Sequence, residues 1–417
     1  MTHGVLRSLS MGLACLALSC SDLGTNAPGS STHPIPPLSG VEQAVANSSN
    51  AFGLNLFREL DKASNGEDLM VSPLSVSMAL GMTLNGAEGS TRDAMEQTLG
   101  FTGMGSDQIN GTYAGLISSL TTADPTVKME IGNSIWYRPS LQVEQAFKDV
   151  NISFFNAQIR SIDFSSPAAA GIINGWVSDA THGKIPSIVP DPVPSDIVMY
   201  LINAVYFKGS WTHRFDSTLT YDGIFHLTDG GTVPARLMMT TDSLPYVQSN
   251  GLQVVDLPYG SEGFSMTLLL PPSGTSIDAF VSSLTSEKWE SLVGQMMQTQ
   301  VRVLLPKFKL SYFANLNATL SNLGMGIAFT DGANFTGIDR RGSLAISEVL
   351  HKSFIQVDEE GTEAAAVTSV GIRATAVEGG ATIPVVLLDR PFIYVIRERT
   401  TGVILFVGKL AEPKWVE

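Results

Sequence analysis

Apolar residues follow helical spacing in the first quarter of the chain and form strand-like runs in the second half. Between residues 50 and 61 they recur at every third or fourth position, which predicts an amphipathic helix. A second helix is predicted to begin at Ser72, a residue type that caps helix N-termini, with Pro73 at its first position. Runs rich in β-branched and aromatic residues predict strands at 201–207, 264–270, 301–305 and 403–407.

This order of elements predicts an α+β fold. Helices lead and strands dominate the second half, without the regular alternation that builds a parallel α/β sheet. No linker or internal repeat divides residues 49–417, so we predict a single domain there. Of the 417 residues, 44% are hydrophobic and 15% are charged, which is enough apolar material for a large core.

The first 48 residues have a different character. Residues 1–19 carry Arg7 and then a short apolar run, which predicts a signal peptide rather than a membrane-spanning helix. The LALSC at 16–20 resembles a bacterial lipobox, with Ala17 where that pattern prefers Leu, and it predicts a lipid on Cys20. The alternative is an ordinary secretory leader that is cut later. Residues 20–48, rich in Ser, Pro and Gly, are predicted to be a flexible tether.

Net charge and cysteine content limit which partners, cellular location and disulfides are expected. The net charge of −14 argues against nucleic acid and against a basic membrane-binding patch, so membrane contact is expected only through a lipid anchor. We expect a cell-envelope lipoprotein, on the periplasmic or surface face, or a secreted protein. Cys15 and Cys20 are the only cysteines, so the mature chain is predicted to have no internal disulfide.

Motifs for catalysis or cofactor binding were not found. The six histidines show no metal-ligand spacing. The chain has no G-x-S-x-G, no phosphate-binding glycine motif and no H-E-x-x-H. The sequence therefore predicts a protein that is not an enzyme and that needs no cofactor and no metal.

A run of small residues from 358 to 384 stands apart from the rest of the chain. With strand periodicity over 362–374, Thr362 and three alanines fall on one face, and both charged residues of that window, Glu363 and Arg373, fall on the other. Side chains this small fit between two existing strands without displacing packed neighbours, and Gly361 gives the backbone freedom at the start of the run. The residues alone also fit an ordinary mobile loop, a short helix through 363–366, or a disordered linker.

The EEGTEAAA at 359–366 resembles the hinge of inhibitory serpins, the serine-protease inhibitor family. The resemblance covers nearly all of residues 49–415, in the family's order. Val367 departs from the pattern, because inhibitory members usually have Ala, Thr or Ser there. Other segments that carry the resemblance are SPLS at 72–75, INGWV at 173–177, THGKI at 181–185, LINAVYFKGSW at 201–211, LPKF at 305–308, ISEVLHK at 346–352 and DRPF at 389–392.

The resemblance implies a single-domain serpin fold of three β-sheets and about nine helices, with an exposed reactive-centre loop. It implies a hinge in that loop, a hydrogen-bonded shutter beneath the central sheet, and a breach at Trp211, where insertion begins. The implied hinge residues are Glu359, Glu360, Gly361, Thr362, Glu363, Ala364, Ala365 and Ala366. The implied shutter residues are Ser72, Ser75, Asn203 and His351.

The implied function is suicide inhibition of a serine protease, or of a cysteine protease, by a monomer. The family's spacing places the reactive bond at Thr375–Ala376, which favours an elastase-like or subtilisin-like target. The rival bond, Arg373–Ala374, would favour a trypsin-like target. Two alternatives stay open: a non-inhibitory serpin that acts as a binding module, and a hydrolase.

Overall fold

The computed structural model describes Met1, residues 38–363 and residues 383–415. The chain divides into two units, 1–32 and 33–417, and the elements below all belong to the second. Nine α-helices lie in the described residues: α1 Gly40–Ala63, α2 Pro73–Leu84, α3 Gly89–Leu99, α4 Ser106–Thr122, α5 Gln145–Phe155, α6 Ala169–Ala180, α7 Ile277–Ser282, α8 Ser286–Gln295 and α9 Asn317–Leu320.

Fifteen strands lie in the same ranges, which confirms the α+β class. They are β1 Leu69–Val71, β2 Lys128–Tyr137, β3 Gln158–Ser161, β4 Met199–Ser210, β5 Tyr221–His226, β6 Thr232–Ser249, β7 Leu252–Tyr259, β8 Phe264–Leu270, β9 Met297–Pro306, β10 Phe308–Asn315, β11 Leu350–Val357, β12 Gly361–Thr362, β13 Val385–Leu387, β14 Phe392–Glu398 and β15 Ile404–Leu410. All four predicted strands lie within, or within one residue of, observed strands.

The strands form two hydrogen-bonded sheets within the described residues. A six-stranded sheet has the order β10-β11-β12-β4-β2-β3, and a nine-stranded sheet has the order β1-β15-β14-β8-β7-β6-β9-β13, with β5 paired to β6. The long strand β6 pairs with β5, β9 and β7 in turn along its length. It therefore joins two parts of the larger sheet that the resemblance counts as separate sheets.

Helix α2 lies against the six-stranded sheet and sets the position of the candidate site. The Ser72 Oγ accepts a hydrogen bond from the backbone N–H of Ser75 (3.3 Å), and proline occupies the first turn, as the sequence predicts. Nearly every residue of α2 is buried, as expected for a helix that is apolar all round. The polar residues at its start are thereby held against the strands.

Helix α1 begins inside the segment predicted to be a tether. Its first residue is Gly40, so residues 40–48 are helical rather than linker. A capping box explains the early start: the Ser39 side chain accepts from the Glu42 N–H, and the Glu42 carboxylate accepts from the Ser39 N–H (2.8 Å). The rest of the predicted tether up to residue 37, and the signal peptide after Met1, lie outside the described residues.

No helix in the described part of the chain is both long enough and apolar enough to cross a membrane.

Candidate functional site

The two-residue strand β12 lies between β11 and β4 at one end of the six-stranded sheet. Thr362 pairs with Val357 of β11 on one side and with Gly209 of β4 on the other, and Gly361 pairs with the next residue of β4. Sequence reasoning placed this run in an exposed loop that enters the sheet after cleavage. Its first two residues are instead already part of the sheet in the uncleaved chain.

Beyond β12, no described ladder pairs β4 with β11 directly. Among the described ladders, these two strands are joined only through β12. Further along, a cavity of about 90 Å³ is lined by the first residues of β4, by the start of β11 and by α2. Because β4 and β11 are both antiparallel to β12, a chain that continued β12 would find donors and acceptors on both sides.

The carboxylate of Glu359 is tied to the body of the protein just before β12. Its Oε2 lies 2.8 Å from Lys307 Nζ, and its Oε1 accepts a hydrogen bond from Thr220 Oγ1 (2.8 Å). Burial by itself would raise the pKa of Glu359, but the hydrogen bonds from Lys307, from the backbone and from Thr220 outweigh burial and lower it. Glu359 is thus held in its charged form at the entrance to the sheet.

Trp211 contacts the residues that lead into β12. Its indole Nε1–H donates to the carbonyl of Asp358 (2.9 Å), and its backbone N–H donates to the carbonyl of Glu360 (2.9 Å). The ring stacks on Tyr259 with centroids 4.5 Å apart, and the Tyr259 hydroxyl shares a hydrogen bond of 2.5 Å with Thr362 Oγ1. Thr362, only 3% exposed, fits here because its side chain is small and carries one hydroxyl.

Glu363 directly follows β12. It has a left-handed φ of 54°, and its backbone N–H still donates to the carbonyl of Gln356 in β11 (2.8 Å). Its carboxylate accepts a hydrogen bond from the Tyr206 hydroxyl (2.9 Å) and lies 3.3 Å from Lys184 Nζ. Burial and then this hydrogen bond raise the pKa of Tyr206. The last described residue before the gap is therefore anchored to β4 and to the segment after α6.

Gly361 is required by close approach of two backbones. A Cβ added there would lie 2.1 Å from the carbonyl oxygen of Gly209 and 2.7 Å from Ser210 Cα. Any larger residue would have to displace β4, because the clash is between its Cβ and backbone atoms and a change of rotamer does not relieve it.

The four predicted shutter residues meet where α2 crosses β4 and β11. The backbone N–H of Ser72 donates to His351 Nε2 (3.2 Å), and Ser75 Oγ donates to the backbone carbonyl of Asn203 (3.3 Å). The Asn203 side chain takes another direction, since its Nδ2 donates to Asn133 Oδ1 in β2 (2.8 Å). Together these bonds connect one helix to three strands of the sheet.

His351 is neutral in this environment. Burial lowers the pKa of its imidazole from 6.5 to about 4. Because its Nε2 accepts a hydrogen bond from Ser72, a proton on that nitrogen would break the contact between α2 and β11.

Comparison with known proteins gives the family. The model of the family described as "Serpin (serine protease inhibitor)" matches residues 47–413, which is most of the chain and includes every element from β1 to β15. The chain is a serpin.

Relatives and solved structures agree over most of the serpin's length. It is 31% identical over 369 residues to Intracellular coagulation inhibitor 2 of Tachypleus tridentatus, which covers 87% of this chain and 90% of that protein. The crystal structure of the thermophilic serpin tengpin in the native state has a TM-score of 0.82 at 32% identity, covering 91% of this chain and 97% of tengpin. Human thyroxine-binding globulin complexed with thyroxine has a TM-score of 0.82 at 28% identity, covering 90% of this chain and all of that chain.

Some predicted site residues of this serpin lie outside the described residues. They are Cys20, the last three hinge residues Ala364, Ala365 and Ala366, and both candidate reactive bonds, Thr375–Ala376 and Arg373–Ala374. The remaining hinge residues, the shutter and Trp211 are all described, and their roles stay predictions.

Sequence reasoning missed the partners that hold the hinge. Lys307, Tyr206 and Lys184 lie in motifs that carry the serpin resemblance, but neither they nor Tyr259 were assigned a role. The acidic run at 358–360 was the available signal. Carboxylates that become partly buried need cations as partners, so a lysine such as Lys307 could have been expected beside them. The tyrosine partners gave no such signal.

Proposed function

We propose that this serpin is a suicide-substrate inhibitor of serine proteases, with cysteine proteases as a second target class. The observation that carries the proposal is β12, a strand of small residues that has already entered between β4 and β11. The small residues that follow it in the sequence, Ala364 to Ala366, suit continued insertion between the same two strands.

In the proposed reaction the protease attacks the loop as it would attack a substrate. Its nucleophile adds to the carbonyl of Thr375, the amide bond to Ala376 breaks, and the proton of the nucleophile passes to the leaving amine. An ester, or a thioester with a cysteine protease, then joins the protease to Thr375. The chain from Glu363 to Thr375 inserts as a continuation of β12 and carries the protease with it, so that the acyl bond is not hydrolysed.

The energy for trapping comes from completing the sheet. An inserted strand gains ladder hydrogen bonds to β4 and β11, each worth about 1 kcal/mol net. Apolar burial in the cavity beside α2 adds to this. The uncleaved form is then kinetically trapped, and cleavage releases its stored free energy.

The residue before the cut determines the target. Thr375 is small and β-branched, which favours a protease with a shallow primary pocket, elastase-like or subtilisin-like. Cleavage at Arg373–Ala374 would indicate a trypsin-like target and would shorten the inserting segment, which weakens trapping. Mass spectrometry of the released C-terminal peptide distinguishes the two bonds.

The Thr362→Arg variant tests the mechanism. We expect it to be cleaved as a substrate and to form little complex, because a charged side chain cannot replace buried Thr362 beside Tyr259. The measurement is the amount of detergent-stable complex formed with elastase, subtilisin and trypsin, on a denaturing gel. Ser369→Arg, on the outward face of the predicted strand, is the matched control and should keep most of its inhibitory capacity. If Thr362→Arg formed as much complex as the unaltered chain, the insertion mechanism would be wrong.

A binding module is the second candidate, favoured by the likeness to thyroxine-binding globulin. It predicts that the unaltered chain forms no covalent complex with any of the three proteases. The hinge argues against it, because Gly361 and Thr362 are already seated in the sheet.

We also propose that the chain is exported and lipid-modified at Cys20. The proposal is supported by the leader and the lipobox-like residues 16–20. Metabolic labelling with a palmitate analogue should mark the unaltered chain and not Cys20→Ser. Equal labelling of both would contradict it.

A further inference from the structure

The segment after β15 crosses to β10, next to the hinge. Its start is fixed by Asp68, whose Oδ1 accepts hydrogen bonds from the backbone N–H groups of Ala411 (2.7 Å) and Glu412 (3.0 Å). Its end is fixed on β10, where the backbone N–H of Lys309 donates to the carbonyl of Lys414 (2.8 Å). The segment is thus tied to the body at both ends.

Trp415, which follows, lies over two lysines of the β9–β10 region. The Nζ atoms of Lys307 and Lys309 are 4.3 Å and 4.6 Å from the centroid of its ring, within the range of cation–π attraction. The Lys307 ammonium also pairs with Glu359 at 2.8 Å, and its side chain is only 17% exposed. One ammonium is therefore held between the indole ring and the hinge carboxylate.

We propose that residues 411–415 form a C-terminal clamp, in which Trp415 is a positioning residue that holds Lys307 against Glu359 and keeps β12 seated in the sheet. The consequence for inhibition rests on the proposed function, whereas the clamp itself does not. It would set how readily the hinge leaves or enters the sheet, and so the balance between active and prematurely inserted forms.

The physical basis is restriction and dehydration of the lysine. A free lysine side chain has many rotamers, and ordering it costs about as much as an exposed ion pair provides. The ring offsets that cost by attracting the ammonium and covering its stem, and it keeps water from the pair with Glu359. β12 has only two paired residues, so this neighbouring ion pair adds to the contacts that Trp211 and Tyr259 make with the hinge.

Hydrogen exchange of the intact chain, without any protease, tests the clamp directly. In Trp415→Ala the amides of residues 359–363 should exchange about 5- to 30-fold faster, which corresponds to the loss of one or two cation–π contacts. Trp415→Phe should show a smaller increase, because the benzene ring binds cations more weakly than indole does. In a Glu359→Gln background, replacing Trp415 should add little, since its partner pair is already gone.

Two controls separate a clamp from general loosening. Lys414→Gln alters the exposed neighbour of Trp415 but keeps the backbone bond to Lys309, and should leave hinge exchange unchanged. In denaturant unfolding, Trp415→Ala should lose too little free energy of unfolding to account for the faster exchange, which should be confined to the hinge. Unchanged hinge exchange in Trp415→Ala, or an equal acceleration in the Glu359→Gln background, would overturn the clamp. Complex formation by the unaltered chain decides the proposed function separately.

Discussion

At the scale of single residues, the site depends on small side chains that meet large, fixed partners. Gly361 leaves room for the backbone of β4, and Thr362 presents one hydroxyl to Tyr259. The sequence predicted that small residues are needed in this run, because side-chain size is known from residue type alone. It did not predict Tyr259 as the partner, because that contact joins segments far apart in the chain.

His351 makes the native state sensitive to acid. Its folded pKa of about 4 is below its ordinary value of 6.5, so the unfolded chain takes up a proton first as the pH falls. The imidazole's contribution to stability is therefore complete above about pH 6.5 and is lost progressively between 6.5 and 4. The loss is roughly 3 kcal/mol at most.

The prediction is checked by the melting temperature between pH 7.5 and 4, a range chosen to span the titration. His351→Gln should be less stable at neutral pH and should show a flatter pH dependence over the window. His226→Gln changes an exposed histidine and should follow the unaltered chain. An unchanged slope in His351→Gln would show that the acid sensitivity arises elsewhere.

At the scale of elements, the spacing of apolar residues predicted the strands and helix starts that depend on local sequence. The strands at 264–270 and 301–305 and the start of α2 agree with the structure, because their apolar patterns and cap residues are local. The start of α1 was misplaced, since the capping box at Ser39 lies in a Ser- and Pro-rich stretch that looks like linker. β12 has no pattern of its own, because two residues are too few to show one.

The candidate site was predictable only in part for the same reason. The resemblance grouped Ser72, Ser75 and His351 as shutter residues, and the structure brings these three together, while their role stays a prediction. It did not indicate that the Asn203 side chain would turn toward Asn133. Residues 411–415 carry no periodicity, so their contact with Lys307 could not be predicted from sequence.

At the scale of the whole molecule, the space between β4 and β11 predicts that cleavage stabilises the protein. If the cut chain completes the sheet, the added ladder bonds are worth ten kcal/mol or more, and the melting temperature should rise by roughly 20 °C. Differential scanning calorimetry of the intact and the protease-cleaved protein measures the change. Cleaved Thr362→Arg is the control and should melt near the intact form. A cleaved, unaltered chain without any rise would contradict insertion.

The seated pair Gly361–Thr362 has a kinetic consequence. Bringing a chain segment to the entrance of a sheet costs loop entropy before any contact offsets it. On the proposed mechanism that cost is met before cleavage, because β12 is already paired. Insertion would then need no separate nucleation step, because each added residue gains ladder hydrogen bonds at once. On the proposed mechanism, the competition between insertion and hydrolysis of the acyl bond is therefore decided by how fast the strand extends along β4 and β11.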